Sequence, residues 1–315
     1  MCGGGYLRGP LTAAMWKLNP GELRWERMHD LMRGRAEHAC CAVRRGVVVL
    51  GGTFEGQAGG LEATASVEIS GYDSDAQEHI FRALPPLTRG VVYQSVAVAI
   101  EESASELGQV LLIGGQDEDD EMSSAVHLVD LATGVCTAQS RLVSSQGYLG
   151  GCSAARLLDG RIVCVGGDFA HAASYHTAQV LEPPAQGSES EASWQWRYLP
   201  DMSVGRFGGR GCVLSDGRFA VFGGLDVDTA LPSSCEALTL DVDGERWDAL
   251  PPMHEGRCAF ACAAVGGCVI VAGGFGSMAA EVYEKGLGRW RRLPRSLPFD
   301  TKLFCAGSAL LRLFT

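Results

Sequence analysis

Five times the chain writes the same phrase, a short apolar run that ends in two glycines. The phrases are Val47-Val48-Val49-Leu50-Gly51-Gly52, Val110-Leu111-Leu112-Ile113-Gly114-Gly115, Ile162-Val163-Cys164-Val165-Gly166-Gly167, Phe219-Ala220-Val221-Phe222-Gly223-Gly224 and Val269-Ile270-Val271-Ala272-Gly273-Gly274. Their first glycines lie 50 to 63 residues apart. A unit of that length cannot bury its own apolar face, so it has to stack on copies of itself, as the blades of a propeller or the coils of a solenoid do. Runs of four to six residues bounded by Gly, Pro and Asp clusters read as short strands, and nothing carries a sustained helical period.

A second mark keeps step with the first. An aromatic stands three residues before Leu-Pro in Phe81-Arg82-Ala83-Leu84-Pro85, Trp196-Arg197-Tyr198-Leu199-Pro200, Trp247-Asp248-Ala249-Leu250-Pro251 and Trp290-Arg291-Arg292-Leu293-Pro294. Together with the tyrosine-bearing run Glu281-Val282-Tyr283, this order resembles the kelch repeat over almost the whole chain. The resemblance implies a single all-β domain over residues 1–315. It is expected to be a six-bladed propeller of four antiparallel strands per blade, named A to D. The expected blades are 31–87, 88–142, 143–202, 203–253 and 254–297, with a sixth built from 1–30 plus 298–315. In that sixth blade, Gly3-Gly4, the run Ala13–Trp16 and Trp25 would stand at the B, C and D positions, and 303–311 would supply strand A. Closing the ring in this way removes exposed sheet edges. The repeat over 88–142 is the most degenerate, with Cys136 at the aromatic position and no Leu-Pro.

Gly-Gly at the end of strand B allows positive φ and the close approach of a neighbouring chain. The tryptophans are expected to be wedges between blades. Both marks are structural, and a fold of this kind does not name a function.

Charge removes some functions. The chain carries a net charge of −11 and a pI near 5.1, so neither nucleic acid nor an anionic membrane would gain by binding it. No apolar run is long enough to span a bilayer, and Met1–Tyr6 has neither the basic region nor the apolar core of a secretory signal. Seven of the 12 cysteines, Cys40, Cys41, Cys164, Cys212, Cys262, Cys268 and Cys305, sit inside apolar runs. That is how free thiols pack in a reducing compartment. The expectation is a cytoplasmic or nuclear protein, not secreted, and a monomeric propeller. No Cys-x-x-Cys pair offers a zinc ribbon, and no cofactor is expected.

Strand order places the D–A links and B–C loops on one face and the A–B and C–D turns on the other. The resemblance makes the first face the docking surface for a protein partner. Its D–A links offer Arg35, Arg89, Tyr148, Arg206, Arg210, Arg257 and Lys302. Guanidinium groups there suit capture of carboxylates, hence of an acidic segment of the partner. They also suit bracing of the blades, by pairing with B–C loop acids such as Asp117, Glu118, Asp119, Asp168 and Asp226, and the two roles are compatible. The other face gathers Asp73, Asp75, Glu101, Glu102, Glu106, Glu189 and Glu191 as a solvated acidic surface. The repeats begin at the first residues, with no F-box-like or BTB-like segment before them in this sequence, so the expectation is that adaptor function comes from another chain or that the chain is a fragment of a larger adaptor.

The leading expectation is a protein-interaction module or scaffold. The alternative is a small-molecule enzyme on the same fold, a sugar mutarotase or a metal-dependent oxidase or specifier-like protein. The weak metal candidates are Asp168, His171 and His176, near Tyr175, and their spacing matches no motif. No Gly-x-Ser-x-Gly, phosphate-binding loop or His-Glu-x-x-His is present.

Overall fold

The computed structural model describes residues 1, 3–6, 10–19, 21–44, 46–57, 59–73, 78–88, 93–100, 107–116, 123–143, 150–167, 176–182, 194–228, 230–241, 244–294, 297, 303–304 and 307–308. The chain opens with β1 (Gly5–Tyr6), β2 (Trp16–Asn19) and β3 (Arg24–Arg27). The first blade follows as β4 (Ala39–Val43), β5 (Gly46–Leu50), β8 (Val67–Asp73) and β9 (Glu78–Leu84). A hairpin of β6 (Thr53–Glu55) and β7 (Leu61–Ala63) rises from its B–C loop. The second blade is β10 (Val96–Ile100), β11 (Gln109–Ile113), β12 (Val126–Asp130) and β13 (Cys136–Ala138). The third is β14 (Ser153–Arg156), β15 (Ile162–Val165), β16 (Ala178–Glu182) and β17 (Gln195–Tyr198). The fourth is β18 (Arg210–Val213), β19 (Phe219–Phe222), β20 (Cys235–Asp241) and β21 (Gly244–Leu250). The fifth is β22 (Ala261–Val265), β23 (Cys268–Ala272), β24 (Ala280–Glu284) and β25 (Arg289–Arg292), after which comes β26 (Leu303–Phe304). Every ladder is antiparallel, as in the register Val98↔Leu111 and Leu111↔Leu128. The molecule is an all-β propeller. No helix among the described residues is long and apolar enough to cross a membrane.

The apolar phrases become the second strand of each blade because that strand is covered on both faces. Side chains alternate across a sheet with period two. In β11, Val110 and Leu112 pack on Ala39, Val48 and Leu50 of the first blade, while Leu111 and Ile113 pack on Cys152, Ile162 and Trp196 of the third. A strand with two buried faces reads as an unbroken apolar run rather than an alternating one. The core is therefore a set of clusters lying between successive blades.

Among the described residues there are five four-stranded blades, where six were expected. Where a sixth four-stranded sheet was expected there are two separate two-stranded ladders, β1 with β26 and β2 with β3. Isolated bonds link the pieces, Gly3 N–H to the Ala14 carbonyl at 3.0 Å and Trp16 N–H to that of Met1 at 2.8 Å. The run Gly3-Gly4-Gly5 has no side chains to hold a ladder across this join. The two ends of the chain do meet, with Gly5 opposite Phe304. Ala13, Met15, Met28 and Leu31 pack on Val47, Val49 and Phe81 of the first blade. Met1, Leu18, Leu23 and Trp25 pack on Ala261, Ala272 and Val282 of the fifth. The terminal segments thus occupy the seam between the first blade and the last.

Candidate functional site

Three of the expected docking arginines are turned inward. Arg35, Arg206 and Arg257 are at most 2% exposed. Each stands four residues before its inner strand and pairs with a glutamate in the second position of its own third strand. Arg35 is bonded to Glu68 and Arg257 to Glu281, while Arg206 Nη2 lies 2.9 Å from Glu236 Oε1. The same guanidinium groups donate to carbonyls at the Gly-Gly corner: Arg35 to Gly51 at 2.9 Å, Arg206 to Gly223 at 2.7 Å, Arg257 to Gly273 at 3.2 Å. The second oxygen of each carboxylate accepts a backbone N–H from the incoming link, that of Met32, Ser203 or His254, at 2.8 to 3.0 Å. One ion pair therefore ties three pieces of backbone together.

Electrostatics follow the burial. Desolvation pushes the Arg257 guanidinium below the usual arginine range, against the opposing pull of Glu281. Burial alone would raise Glu281, but hydrogen bonds from His254 N–H, the His254 ring and Arg257 outweigh it and hold the carboxyl low. His254 Nδ1 lies 2.7 Å from Glu281 Oε2.

The acids in these pairs come from the third strands and not from the B–C loops. Asp226, a loop acid, accepts from Asp228 N–H and Ala230 N–H inside its own turn. A signal for the pairs was present in the sequence. Glu68, Glu236 and Glu281 each interrupt an apolar strand, and only the repeats with an arginine four residues before the inner strand carry them. The other two have Val92 and Leu149 at that position, and His127 and Gln179 in place of the glutamate. Gln179 still makes the backbone part of the contact, to Val143 N–H at 2.8 Å and to its carbonyl at 3.0 Å.

Arg210 lies elsewhere. It begins β18, is half-buried, and lines the central channel. Arg89, Tyr148 and Lys302, the acids Asp117, Glu118, Asp119 and Asp168, and His171 and Tyr175 lie outside the described residues. So do Asp75, Glu101, Glu102, Glu106, Glu189, Glu191 and the side chain of Asp73. His176 Nδ1 is 3.0 Å from the Met202 carbonyl, a contact that holds the link into the fourth blade. Among the described residues no three His, Cys, Asp or Glu side chains form a group able to hold a metal ion.

Sequence reasoning missed a feature at the channel mouth. Two residues after each buried-arginine position, Glu37, Gln94, Gly151, Gly208 and Ala259 all have φ between 51° and 68°. Their peptides form a chain of hydrogen bonds from blade to blade around the axis. Gln94 N–H donates to the Glu37 carbonyl at 2.8 Å, Gly151 to Gln94 at 3.2 Å, Gly208 to Gly151 at 2.8 Å and Ala259 to Gly208 at 2.7 Å. Only the two glycines hinted at it, since a left-handed backbone at Glu, Gln or Ala is strained. The inner strands enclose a cavity of about 740 Å3 behind this mouth. Glu37 and Gln94 meet there, Nε2 to Oε1 at 3.2 Å. Burial pushes the Glu37 carboxyl up, and the Gln94 hydrogen bond only partly offsets it.

The D–A/B–C face around the mouth is apolar in places. Met32, Leu61, Val143, Val227 and Phe275 are large apolar side chains on its loops, each at least 40% exposed. Arg33 lies over the Phe54 ring at 3.4 Å and donates to the Glu55 carbonyl at 3.1 Å, which fixes the β6–β7 hairpin beside them.

No family model and no curated protein matches the chain. Among solved structures it is similar to the one titled "Structure of YjhT", with a TM-score of 0.68 and 10% identity, over 91% of this chain and 99% of that one. At that identity the likeness shows the propeller fold.

Proposed function

We propose that the chain is a propeller of the kelch kind that docks a protein partner on its D–A/B–C face. The supporting observation is the exposed set Met32, Leu61, Val143, Val227 and Phe275 on the loops of that one face. Large apolar side chains exposed on the loops of one face are the material from which interaction sites are built when they form a continuous patch. An acidic segment of the partner would meet Arg33 there, and Arg89 and Lys302 on the same links in sequence. Arg35, Arg206 and Arg257 serve the reading as the braces that hold these links still. The ten described cysteines are free thiols, which fits a reducing compartment such as the cytoplasm or nucleus.

The test is affinity capture with the intact chain and with Met32→Asp/Phe275→Asp, read by mass spectrometry. Both positions are exposed, so the double variant is expected to unfold at the same urea midpoint. It is expected to lose a partner that the unchanged chain retains. Identical captured sets from the two proteins would refute docking on this face.

A further inference from the structure

Among the described residues, one guanidinium group in the channel has no counter-ion and one amide oxygen there has no donor. Arg210 Nε–H donates to the Phe260 carbonyl at 3.1 Å. No carboxylate among the described residues pairs with this arginine, unlike Arg35, Arg206 and Arg257, and Arg210 is one of the side chains that line the cavity. A half-buried guanidinium without a counter-ion is costly unless an anion meets it. On the same cavity wall Gln94 gives its Nε2–H to Glu37, while its Oε1 is buried with no hydrogen-bond donor. A buried acceptor left unmet has the same character. Charge adds a third argument. Among the described residues the cavity lining carries Arg44, Arg156 and Arg210 and one acid, Glu37, in a chain of net charge −11, and Arg44 and Arg156 are engaged in contacts of their own. Arg210 is thus a cation in the channel of an acidic protein, and a concave site focuses its field.

We propose that the channel binds a small hydroxylated carboxylate, its carboxylate on the Nη edge of Arg210 and a hydroxyl donating to Gln94 Oε1. A planar carboxylate fits paired guanidinium N–H groups in bidentate fashion. The hydroxyl requirement comes from Gln94, since a bare carboxylate has no donor to give it. The volume of about 740 Å3 lies within the usual range for small-molecule sites. This site lies inside the ring and is independent of docking on the loops, so either can fail alone.

Gluconate, sorbitol and acetate serve as probes, with binding measured by titration calorimetry and by the shift in melting temperature. Gluconate is expected to bind and to raise the melting temperature. Sorbitol, which lacks the carboxylate, is expected to do neither, and acetate to bind at least tenfold more weakly than gluconate. Arg210→Met is expected to weaken gluconate at least tenfold, measured against its own unliganded state. Gln94→Met is expected to bring gluconate down to the acetate level and leave acetate unchanged. The probe comparison needs only the unchanged chain, so it stands even where a variant fails to fold. Failure of gluconate to bind, equal binding of gluconate and sorbitol, or undiminished gluconate affinity in a folded variant would each overturn the assignment.

Discussion

Arg206 and Glu236 are sealed together inside the fourth blade. Nε and Nη2 of the arginine lie 3.1 and 2.9 Å from one carboxylate oxygen, and the two side chains are 1% and 2% exposed. The other carboxylate oxygen accepts from Ser203 N–H at 3.0 Å and from its hydroxyl at 2.8 Å. Arg206 Nη1 reaches the carbonyls of Gly223 and Ser234 at 2.7 and 3.0 Å. The pair therefore acts on the corner after β19, the entry to β20 and the link that precedes β18.

Breaking the pair from one side should be severe. Arg206→Met leaves Glu236 charged and buried, which costs about 3–5 kcal/mol. Apolar replacement of both partners often restores stability elsewhere. Here it should restore only part, because Gly223 O, Ser234 O and Ser203 N–H would lose their partners as well. Urea unfolding of Arg206→Met, Glu236→Leu and the double variant checks this. An unchanged midpoint for Arg206→Met would mean that the guanidinium is not a brace.

The marks legible in the sequence were those that record a repeated contact. Trp290 Nε1–H donates to the Pro251 carbonyl and Trp247 Nε1–H to that of Pro200, both at 2.8 Å. The aromatic of one repeat thus binds the Leu-Pro of the repeat before it, which is why the two keep step. Gly-Gly likewise records an approach between blades, with Gly224 N–H donating to the Arg257 carbonyl at 2.8 Å. The arginines were legible as charges but not as buried ones, because burial depends on a glutamate some 30 residues further along the chain, inside an apolar strand. Glu37, Gln94 and Ala259 gave no warning of a left-handed backbone, which their ring of neighbours imposes. The blade count failed at the glycine-rich start, where strand pairing depends on tertiary support rather than on side chains.

Trp290 tests the wedge between the fourth and fifth blades. Its ring meets Phe222 edge-on at 5.7 Å and Tyr283 at 5.3 Å, and it is 7% exposed. Trp290→Ala should cost about 3–5 kcal/mol through the cavity it leaves. Trp290→Phe keeps an aromatic body and loses the indole N–H, which leaves the Pro251 carbonyl without its donor. It should therefore cost about 1–3 kcal/mol. Denaturant midpoints for the two variants provide the comparison, and equal losses would show that the hydrogen bond, rather than the packing, carries the wedge.

A second tie joins the same two blades on the opposite face and makes stability depend on acid. Asp216, in the turn between β18 and β19, lies 2.9 Å from both Lys285 Nζ and Arg218 Nε. Burial would raise its carboxyl, but hydrogen bonds from Lys285 and Arg218 outweigh that and hold it at about 2, against an ordinary value of 3.8. A carboxyl depressed by folding contributes stability that is complete above its unfolded pKa and is lost as pH falls through the folded one. The contribution is about 1 kcal/mol or less, since the group is partly exposed and screened by salt. Unfolding midpoints of the unchanged chain and of Asp216→Asn should differ by a constant amount at pH 5 and above. The difference should shrink between about pH 4 and pH 2, and shrink at every pH in high salt. A difference that persists undiminished at pH 2 would show that Asp216 holds the turn by hydrogen bonding alone, with no part played by its charge.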